Sequence, residues 1–266
     1  MKNLAVITGG SGGIGSAIAK VLIPQGYSVV LSGRNEARLA EVVSQLKQQF
    51  PDASITAVAA DLSEETGRGA LLDHVAASAT SLSLVINNAG SGLFGLFEDI
   101  PPSELQRVFN INVTAPMLFT QAVLKRFGSA GADLQIINIG STFGTIGYPG
   151  FAGYCATKFA LRGWSEALDR EYSGSAIRIR YFAPRATRTE LNTDAVNAMN
   201  EALGVTMDSA EAVAREFSTF LGGRRHSAHI GWPERFFVWL NKVLPNVVSS
   251  ALAKQVPVIK EYASKR

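Results

Sequence analysis

The amino-acid sequence predicts an α/β fold in which a doubly wound parallel sheet forms a single domain. Short apolar runs rich in β-branched residues recur up to about residue 183, and each is followed by a stretch whose apolar residues have helical spacing. A glycine-rich segment stands directly after the first of these runs. Such alternation of strands and helices implies right-handed crossovers, with helices on both faces of the sheet.

Six strands are predicted from the apolar runs. The first, residues 4–8, leads into a helix over 15–22 that ends at a proline and a glycine. A second helix is predicted over 35–50, and a third begins near residue 63, where glutamates in the first turn suit the helix dipole. The other strands are predicted in the segments 27–33, 54–61, 82–90, 132–141 and 176–184.

The sequence shows no linker before about Ala183, so one domain is predicted over residues 1–266. Its core is expected to span about 3–190, followed by a substrate lid over about 190–210 and a helical C-terminal cap over 224–266.

The composition is that of a folded chain, with 47% hydrophobic and 18% charged residues. The one cysteine, Cys155, excludes an internal disulfide framework and suits a reducing compartment. The N-terminal residues show no secretory pattern, and no apolar run approaches the roughly 20 residues that a spanning helix needs. We therefore expect a cytoplasmic protein.

The glycine-rich segment TGGSGGIG, residues 8–15, lies at the predicted turn from the first strand into the first helix. At such a turn, free backbone amides and the helix dipole form a site for an anion. Gly9 permits the tight turn, while Gly13 and Gly15 let a pyrophosphate approach and the helix pack on the sheet. The position favours dinucleotide binding over a merely flexible turn.

The spacing T-G-x-x-x-G-x-G in this segment resembles that of the short-chain dehydrogenase/reductase (SDR) family, and further motifs of the family follow in order. They are NNAG at 87–90, Asn112 in NINVT, Ser141 after the fifth strand, and YCATK with Tyr154 and Lys158. Ser141 and Tyr154 are 13 residues apart, as is usual in the family. The resemblance covers about residues 3–190 and implies a Rossmann-type fold, interconversion of an alcohol and a carbonyl, and a homodimer or homotetramer.

Tyr154 and Lys158 are four residues apart and share one face of a helix. A free tyrosine has a pKa of about 10, and a nearby ammonium favours the phenolate, so the pKa of Tyr154 is expected to fall. Tyr154 would donate a proton to a carbonyl oxygen that the Ser141 hydroxyl holds. The resemblance implies that Lys158 also binds the nicotinamide ribose and that Asn112 holds a water in a proton relay. Taken singly, Tyr154 and Lys158 also suit an ordinary exposed pair on a helix. Ser141 also suits a turn at a strand end, and Asn112 a helix or turn cap.

The end of the second strand bears on the choice of cofactor. Gly33 stands where NAD-dependent enzymes place an acidic residue, and Arg34 follows it. Arginine pairs well with a 2′-phosphate, which favours NADP(H) and leaves NAD(H) open. The alternative is an Arg34 that is only exposed to solvent. With Asp61 and Leu62 placed beside the adenine by resemblance, the predicted cofactor contacts are Gly9, Ser11, Gly13, Ile14, Gly15, Arg34, Asp61, Leu62, Asn88, Ala89, Gly90, Tyr154, Lys158 and Thr189.

The sequence departs from the family after the sixth strand, where APRATRTEL has Arg185 in place of the usual glycine. A glycine there helps the backbone to turn beside the nicotinamide. Thr189 still falls where the family contacts the cofactor. Arg185 or Arg188 is interpreted either as facing a negatively charged part of substrate or cofactor, or as a surface residue.

The substrate side of the site is predicted to be apolar. Residues 190–210 are interpreted as a mobile helical lid with an apolar inner face, and methionines suit an adaptable pocket. As a set, these residues favour a hydrophobic ketone or fatty-acyl-like carbonyl, although each alone also suits core packing. They are Phe94, Phe97, Phe143, Ile146, Tyr148 and Phe151, and on the lid Leu191, Val196, Met199, Leu203 and Met207.

Residues 224–266 carry eight Lys or Arg and two Asp or Glu, in a chain of net charge +3. A substrate cap or subunit contact is the favoured interpretation, and contact with a membrane surface is the second. His226 and His229 lack carboxylate or cysteine partners at metal spacing, so no metal is predicted. The apolar residues of this segment follow helical spacing, and Pro245 interrupts the run. They are Phe236, Trp239, Leu240, Val243, Leu244, Val247 and Val248.

These features predict a carbonyl reductase that uses NADPH to reduce a hydrophobic carbonyl, with Tyr154 as general acid. The alternative is a redox sensor of the same fold that binds NADP(H) without turnover. Such a sensor is expected to lack Tyr154 or Lys158, and both are present. Nucleic-acid binding is not predicted, because no recognition motif is found and the basic excess is confined to the C-terminal part.

Overall fold

The computed structural model of the chain describes residues 3–129 and 133–264. The predicted domain limits at residues 1 and 266 lie outside this part of the chain. So does residue 132, at which the fifth strand is expected to begin.

The strands form one seven-stranded parallel sheet in the order β3-β2-β1-β4-β5-β6-β7. Each strand pairs with its neighbours in parallel register, which confirms the predicted fold class. The chain reverses its direction of winding between β1 and β4, and a ligand crevice forms at such a switch point. The strands are β1 Asn3–Thr8, β2 Tyr27–Gly33, β3 Ile55–Ala59, β4 Ser81–Asn87, β5 Gln135–Ile139, β6 Arg178–Ala183 and β7 Ser227–His229.

Helices cover both faces of the sheet. The α-helices of the described residues are α1 Gly13–Leu22, α2 Glu36–Gln49, α3 Glu65–Ala76, α4 Pro102–Phe109, α5 Ala115–Phe127, α6 Ala152–Glu171, α7 Asp194–Ala202, α8 Ala210–Gly222, α9 Glu234–Val243, α10 Pro245–Ala253 and α11 Val256–Ala263. Short 3₁₀ turns occupy Ile23–Gln25, Phe97–Asp99 and Thr142–Gly144, and a π-turn occupies Asn110–Thr114.

The core lies on the two sides of the sheet because successive strand residues point to opposite faces. In β1, Ile7 joins the cluster packed under α1, α2 and α8, whereas Val6 joins the cluster packed under α3 and α5. The strands are therefore buried on both faces, as continuous apolar runs require in a parallel sheet. The carboxyl ends of the strands remain open and hold the candidate site.

The C-terminal helices lie over the substrate side of this edge. Pro245 begins α10 and separates it from α9, which confirms the predicted break. Ile259 on α11 packs with Met199 on α7 in one buried cluster, which joins the cap to the lid region. None of the helices in the described residues has the length and apolarity needed to cross a bilayer.

Candidate active site

The glycine-rich loop joins β1 to α1 and is shaped for an anion. Gly9 has a φ of +64°, and a Cβ there would lie 2.9 Å from the backbone of Ala89. Gly12 is the N-cap of α1 and supplies no side-chain hydrogen bond, so no cap side chain occupies the first amides of the helix. The Asn88 amide donates to the carbonyl oxygens of Thr8 and Gly9, at 3.0 and 3.1 Å. This cradle fits a dinucleotide pyrophosphate.

Gly15 does not line the cavity, which corrects its prediction as a cofactor contact. It lies inside the first turn of α1, where a Cβ would stand 2.4 Å from the Gly9 carbonyl oxygen. Its role is to let the helix pack against the loop. A Cβ added at Gly12, by contrast, would lie 3.4 Å from the same oxygen, an ordinary contact.

Gly15→Ala is expected to destabilise the protein by about 1–3 kcal/mol, the usual range for overpacking a close contact. Helix propensity alone predicts the opposite sign, because alanine is favoured over glycine in a helix. Urea unfolding measures the free energy of unfolding. The matched control is Gly163→Ala, at an exposed position of α6 where an added Cβ meets nothing within 4 Å, so that no loss of stability is expected. Equal losses in the two variants would contradict the packing argument.

The other predicted cofactor contacts line one continuous cavity of about 1560 Å³, which also takes in Arg38 and Glu190. Arg34 stands at the end of β2, and its charge helps to hold the pKa of Asp61 below its usual value, although the main cause is a hydrogen bond from Ser63. Arg38 and Glu190 form an ion pair across the cavity mouth. Sequence reasoning missed this pair, because its members are 152 residues apart.

Tyr154 and Lys158 lie on α6 as predicted, facing Ser141, which begins the turn after β5. The Lys158 Nζ atom donates to the Ile139 carbonyl oxygen at 3.1 Å and lies 5.6 Å from the centre of the Tyr154 ring. The Ser141 side chain lies near enough to the Tyr154 hydroxyl to act on it, and this contact lowers the pKa of Tyr154. Three groups that can bind a carbonyl oxygen or supply a proton therefore meet at one point of the cavity.

The expected fall in the pKa of Tyr154 is not found. Burial of the phenol raises its pKa above the usual value, and the contact with Ser141 offsets this only in part. Burial also lowers the pKa of Lys158 to about 8. The prediction considered only the neighbouring charge, whereas desolvation of both groups is the larger effect in the cofactor-free chain.

Asn112 lies in the π-turn between α4 and α5 and is buried behind the cavity wall. Its side chain donates to the Ser91 carbonyl oxygen at 2.9 Å and to Thr157 Oγ1 at 3.1 Å, and accepts from the Ser91 amide. Thr157 in turn donates to the Tyr154 carbonyl oxygen at 2.7 Å. The side chain of Asn112 thus positions α6, a contact through Thr157 that sequence reasoning missed.

A buried chain of amides also fixes α6, and no local pattern in the sequence predicts it. The Asn87 amide donates to Thr120 Oγ1 at 2.9 Å and to Asn138 Oδ1 at 2.8 Å. Asn138 donates to Ser165 Oγ at 2.8 Å. Because Ser165 lies on α6, these bonds connect β4, β5 and α5 to the helix that carries Tyr154.

Aromatic rings form the substrate side of the cavity. Phe143 stacks on Tyr148 with centroids 4.8 Å apart, and Phe151 lies 4.8 Å from Phe94. Phe143 and Phe151 also meet Tyr154 edge-on. The predicted residues that line the cavity are Phe94, Phe143, Ile146, Tyr148, Phe151, Leu191, Val196 and Leu203.

Three predicted lining residues lie elsewhere. Phe97 is 59% exposed in its 3₁₀ turn and faces away from the cavity. Met199 is buried in the cluster beneath the lid, and the Met207 sulfur accepts from Asn192 and Asn200. The C-terminal cap also lines the cavity, as a substrate cap would, through residues that were not named from the sequence, including Phe237, Leu252 and Gln255.

Comparison with known proteins decides the family. The family described as short chain dehydrogenase matches residues 3–200, most of the chain. The protein belongs to the short chain dehydrogenase family.

Relatives of this short chain dehydrogenase agree with that assignment. It is 34% identical over 192 residues to the 3alpha-hydroxysteroid dehydrogenase of Mediterraneibacter gnavus, covering 72% of this chain and 76% of that protein. A short-chain dehydrogenase from Sphingobium yanoikuyae in complex with NADPH superimposes with a TM-score of 0.77 at 25% identity, covering 93% and 95% of the two chains. The 3-ketoacyl-(acyl-carrier-protein) reductase from Brucella melitensis, complexed with NADH, gives 0.77 at 26%, covering 87% and 98%. The chain is therefore an oxidoreductase acting on alcohol and carbonyl groups.

This dehydrogenase uses Arg185, its departure from the family pattern, as a structural clamp. The guanidinium donates to both carboxylate oxygens of Asp208, at 2.6 and 2.8 Å, and to Glu234 Oε2 at 3.2 Å. Its charge is therefore neutralised within the protein, which corrects the interpretation that it faces a substrate anion. Arg188 is exposed and lies outside the cavity.

The two C-terminal histidines of the dehydrogenase have protein partners. His226 Nδ1 lies 2.6 Å from the Asp169 carboxylate, and His229 Nε2 lies 2.8 Å from Thr145 Oγ1. Burial lowers the pKa of His229 to about 4. Within the residues that the structure describes, no group of three or more His, Cys, Asp or Glu side chains is placed to hold a metal ion.

Proposed function

We propose that this enzyme uses NADPH to reduce a hydrophobic ketone or acyl-type carbonyl to an alcohol. One observation carries the proposal: Ser141, Tyr154 and Lys158 stand where the dinucleotide cleft opens into the aromatic part of the same cavity. A carbonyl held there would contact the catalytic hydroxyls while its apolar body lies against the rings.

The bound cofactor would supply the hydride that the carbonyl carbon accepts. Tyr154, whose raised pKa keeps it protonated at neutral pH, donates the proton that completes the alcohol. Ser141 hydrogen-bonds the same oxygen as negative charge develops on it. A protonated donor in the free enzyme suits the reductive direction.

Lys158 and Asn112 support this proton transfer. A Cβ added at Gly90 would lie 3.8 Å from Lys158 Nζ and 3.4 Å from Asn112 Oδ1. Both side chains therefore approach the wall of the cleft at Gly90. By its family membership, we assign Lys158 to the nicotinamide ribose and Asn112 to a water in the proton relay. Since burial lowers the pKa of Lys158 to about 8, its ammonium can release a proton near neutral pH.

The preference for NADPH is inferred from the residues around the adenosine end of the cleft. Gly33 brings no carboxylate to the 2′ position, and Arg34 and Arg38 both line the cavity there. The Arg34 guanidinium suits a 2′-phosphate, whereas an acidic residue would suit a free 2′-hydroxyl, and the charge of Arg38 is already paired with Glu190. Structural relatives have been solved with NADPH and with NADH, so this chain's own charges carry the inference.

Arg34→Ala is expected to lower kcat/KM with NADPH by about 10- to 100-fold while leaving kcat/KM with NADH nearly unchanged, as loss of a charge-assisted hydrogen bond implies. Steady-state kinetics with each cofactor measure the ratio of kcat/KM with NADPH to kcat/KM with NADH. Arg170→Ala, which removes an 80%-exposed arginine far from the cavity, is the control. An unchanged NADPH-to-NADH ratio in Arg34→Ala would refute the assignment.

The substrate class is tested with a panel of carbonyls that runs from polar sugars to long-chain and polycyclic ketones. The name of the Mediterraneibacter gnavus relative, a hydroxysteroid dehydrogenase, supports a bulky apolar substrate. We expect NADPH oxidation to be fastest with the apolar members. Comparable turnover on a sugar would count against the hydrophobic site, and tight NADPH binding without any turnover would favour the sensor alternative.

We further propose a cytoplasmic homodimer or homotetramer. Helices α4, α5 and α6 expose apolar side chains that are at least a third accessible in the single chain. Contiguous apolar exposure of this kind marks subunit contacts. The residues are Phe109, Met117, Leu118 and Phe159.

A further inference from the structure

The C-terminal cap leaves a large apolar surface in solvent, here called the aromatic face. Trp232 is 72% exposed and Trp239 55% exposed, and the remaining members are also more than a third accessible. Isolated exposed apolar residues are normal, but a contiguous set marks an interaction site. The aromatic face consists of Trp232, Phe236, Phe237, Trp239, Val243, Leu244 and Val247.

The aromatic face is held in place by the protein beneath it. The Phe236 ring lies 5.8 Å from Trp232 and 5.9 Å from Trp239, centroid to centroid. Val238, on the opposite side of α9, is buried against Ile146. Since α9 is fixed from below, its exposed rings form a preformed surface with little ordering left for a partner to impose.

Positive charge adjoins the aromatic face. A second cavity of about 400 Å³ is lined by Trp232 and by Arg215, Arg225 and Arg235. None of these three arginines forms an ion pair with an acidic side chain in the described part of the chain. The cavity's acidic residues are Asp208, which binds Arg185, and Glu216.

We propose that the aromatic face and this arginine cluster dock the enzyme on an anionic lipid bilayer. Tryptophan and phenylalanine suit the boundary between headgroups and acyl chains, and each arginine near an anionic leaflet adds affinity. A second copy of the chain fits less well. The chain itself carries a net charge of +3, whereas the arginine cluster is complemented by an anionic partner.

Docking in this way would present the substrate cavity to the lipid. Trp232 and Phe237 belong to the aromatic face and also line the active-site cavity. An apolar carbonyl partitions into the bilayer, so a cavity mouth at this face receives substrate directly from the lipid phase. This access route rests on the proposed function, whereas docking itself does not.

The test is co-sedimentation with phosphatidylcholine vesicles and with vesicles that also contain phosphatidylglycerol. The unmodified protein is expected to bind the anionic vesicles and to be released by high salt. Trp232→Ser with Trp239→Ser, and separately Arg215→Gln with Arg225→Gln and Arg235→Gln, are each expected to lower the partition coefficient. Removing the three arginine charges is expected to lower the partition coefficient on the anionic vesicles by about 100-fold.

Controls separate docking from misfolding and from activity. Phe97→Ser removes an exposed aromatic residue outside the face and is expected to bind as the unmodified protein does. Quenching of tryptophan fluorescence by brominated lipids, measured on the unmodified protein, reports insertion without any variant. Both readouts are independent of turnover, so a failure of the proposed reaction leaves them unaffected.

Absence of binding to the anionic vesicles would overturn the proposal, as would equal binding to the neutral ones. Loss of an oligomer in the tryptophan variant, seen by analytical ultracentrifugation in the absence of vesicle binding, would instead assign the face to a subunit contact.

Discussion

Replacing Tyr154 with phenylalanine is expected to lower kcat/KM by about 10³-fold, within the range of about 10²–10⁴ that general acid catalysis contributes. The variant loses the hydroxyl that faces Ser141 but keeps the ring, whose centroid lies 6.3 Å from that of Phe143 and 6.4 Å from that of Phe151. The fold and the cofactor cleft should therefore be preserved. Steady-state reduction of the best carbonyl measures kcat/KM. The fluorescence change on NADPH binding measures whether the variant keeps its affinity for the cofactor.

The matched control is Tyr148→Phe. Tyr148 stands in the same aromatic group, but its hydroxyl donates to Gln255 Oε1 at 2.7 Å, on the cap. Removing one neutral hydrogen bond there is expected to change kcat/KM by less than about tenfold. If both variants lost activity equally, the aromatic pocket rather than the Tyr154 proton would be the cause. If neither did, Tyr154 would not be the acid.

The sequence was sufficient for six of the seven strands and for the positions of Ser141 and Tyr154 in the fold, because these depend on local patterns. Strands and helices follow from apolar periodicity, and Ser141 and Tyr154 lie within short motifs next to strand or helix ends. β7 was missed, since its three residues Ser227–His229 offer no apolar alternation of their own. The π-turn at Asn110–Thr114 was missed because its sequence has no distinctive spacing.

The remaining features depend on contacts between distant parts of the chain. Burial sets the pKa of Tyr154, and burial is a property of the tertiary fold that neighbouring residues do not reveal. Arg38 meets Glu190 only because the lid returns to α2. Phe94 and Phe97 are equally apolar in the sequence, yet the loop places one in the cavity and the other in solvent.

The structure of the C-terminal cap was harder to predict from the sequence, because an apolar stripe at helical spacing predicts that this side of the helix is buried. In α9 and α10, only Val238 and Val248 are buried. Periodicity reports that one side of a helix is apolar, but not whether this side meets the core or a partner outside the chain. Sequence alone therefore left cap, subunit contact and membrane surface open, whereas the structure places Phe237, Leu252 and Gln255 of this segment in the cavity wall.

Arg185→Gln is expected to destabilise the protein by about 1–3 kcal/mol, because breaking a partly buried ion pair leaves an uncompensated charge. The side chains of Arg185 and Asp208 are only 14% and 18% exposed, and Glu234 would lose the same partner. The clamp connects the loop after β6 to Asp208, two residues before α8, and to the start of α9, so its loss should loosen the cap as well. Urea unfolding of the cofactor-free protein measures the change.

Arg126→Gln provides a control in which an exposed arginine loses a single acidic partner. Its ion pair with Asp73 has the same 2.6 Å length as that of Arg185 with Asp208, but its two side chains are 40% and 74% exposed. Solvent screening limits its expected contribution to less than about 1 kcal/mol. If the two variants were destabilised equally, burial would not be the reason that the clamp matters. A large loss in Arg185→Gln alone would show that the residue replacing the family's glycine serves to hold the cap on this enzyme.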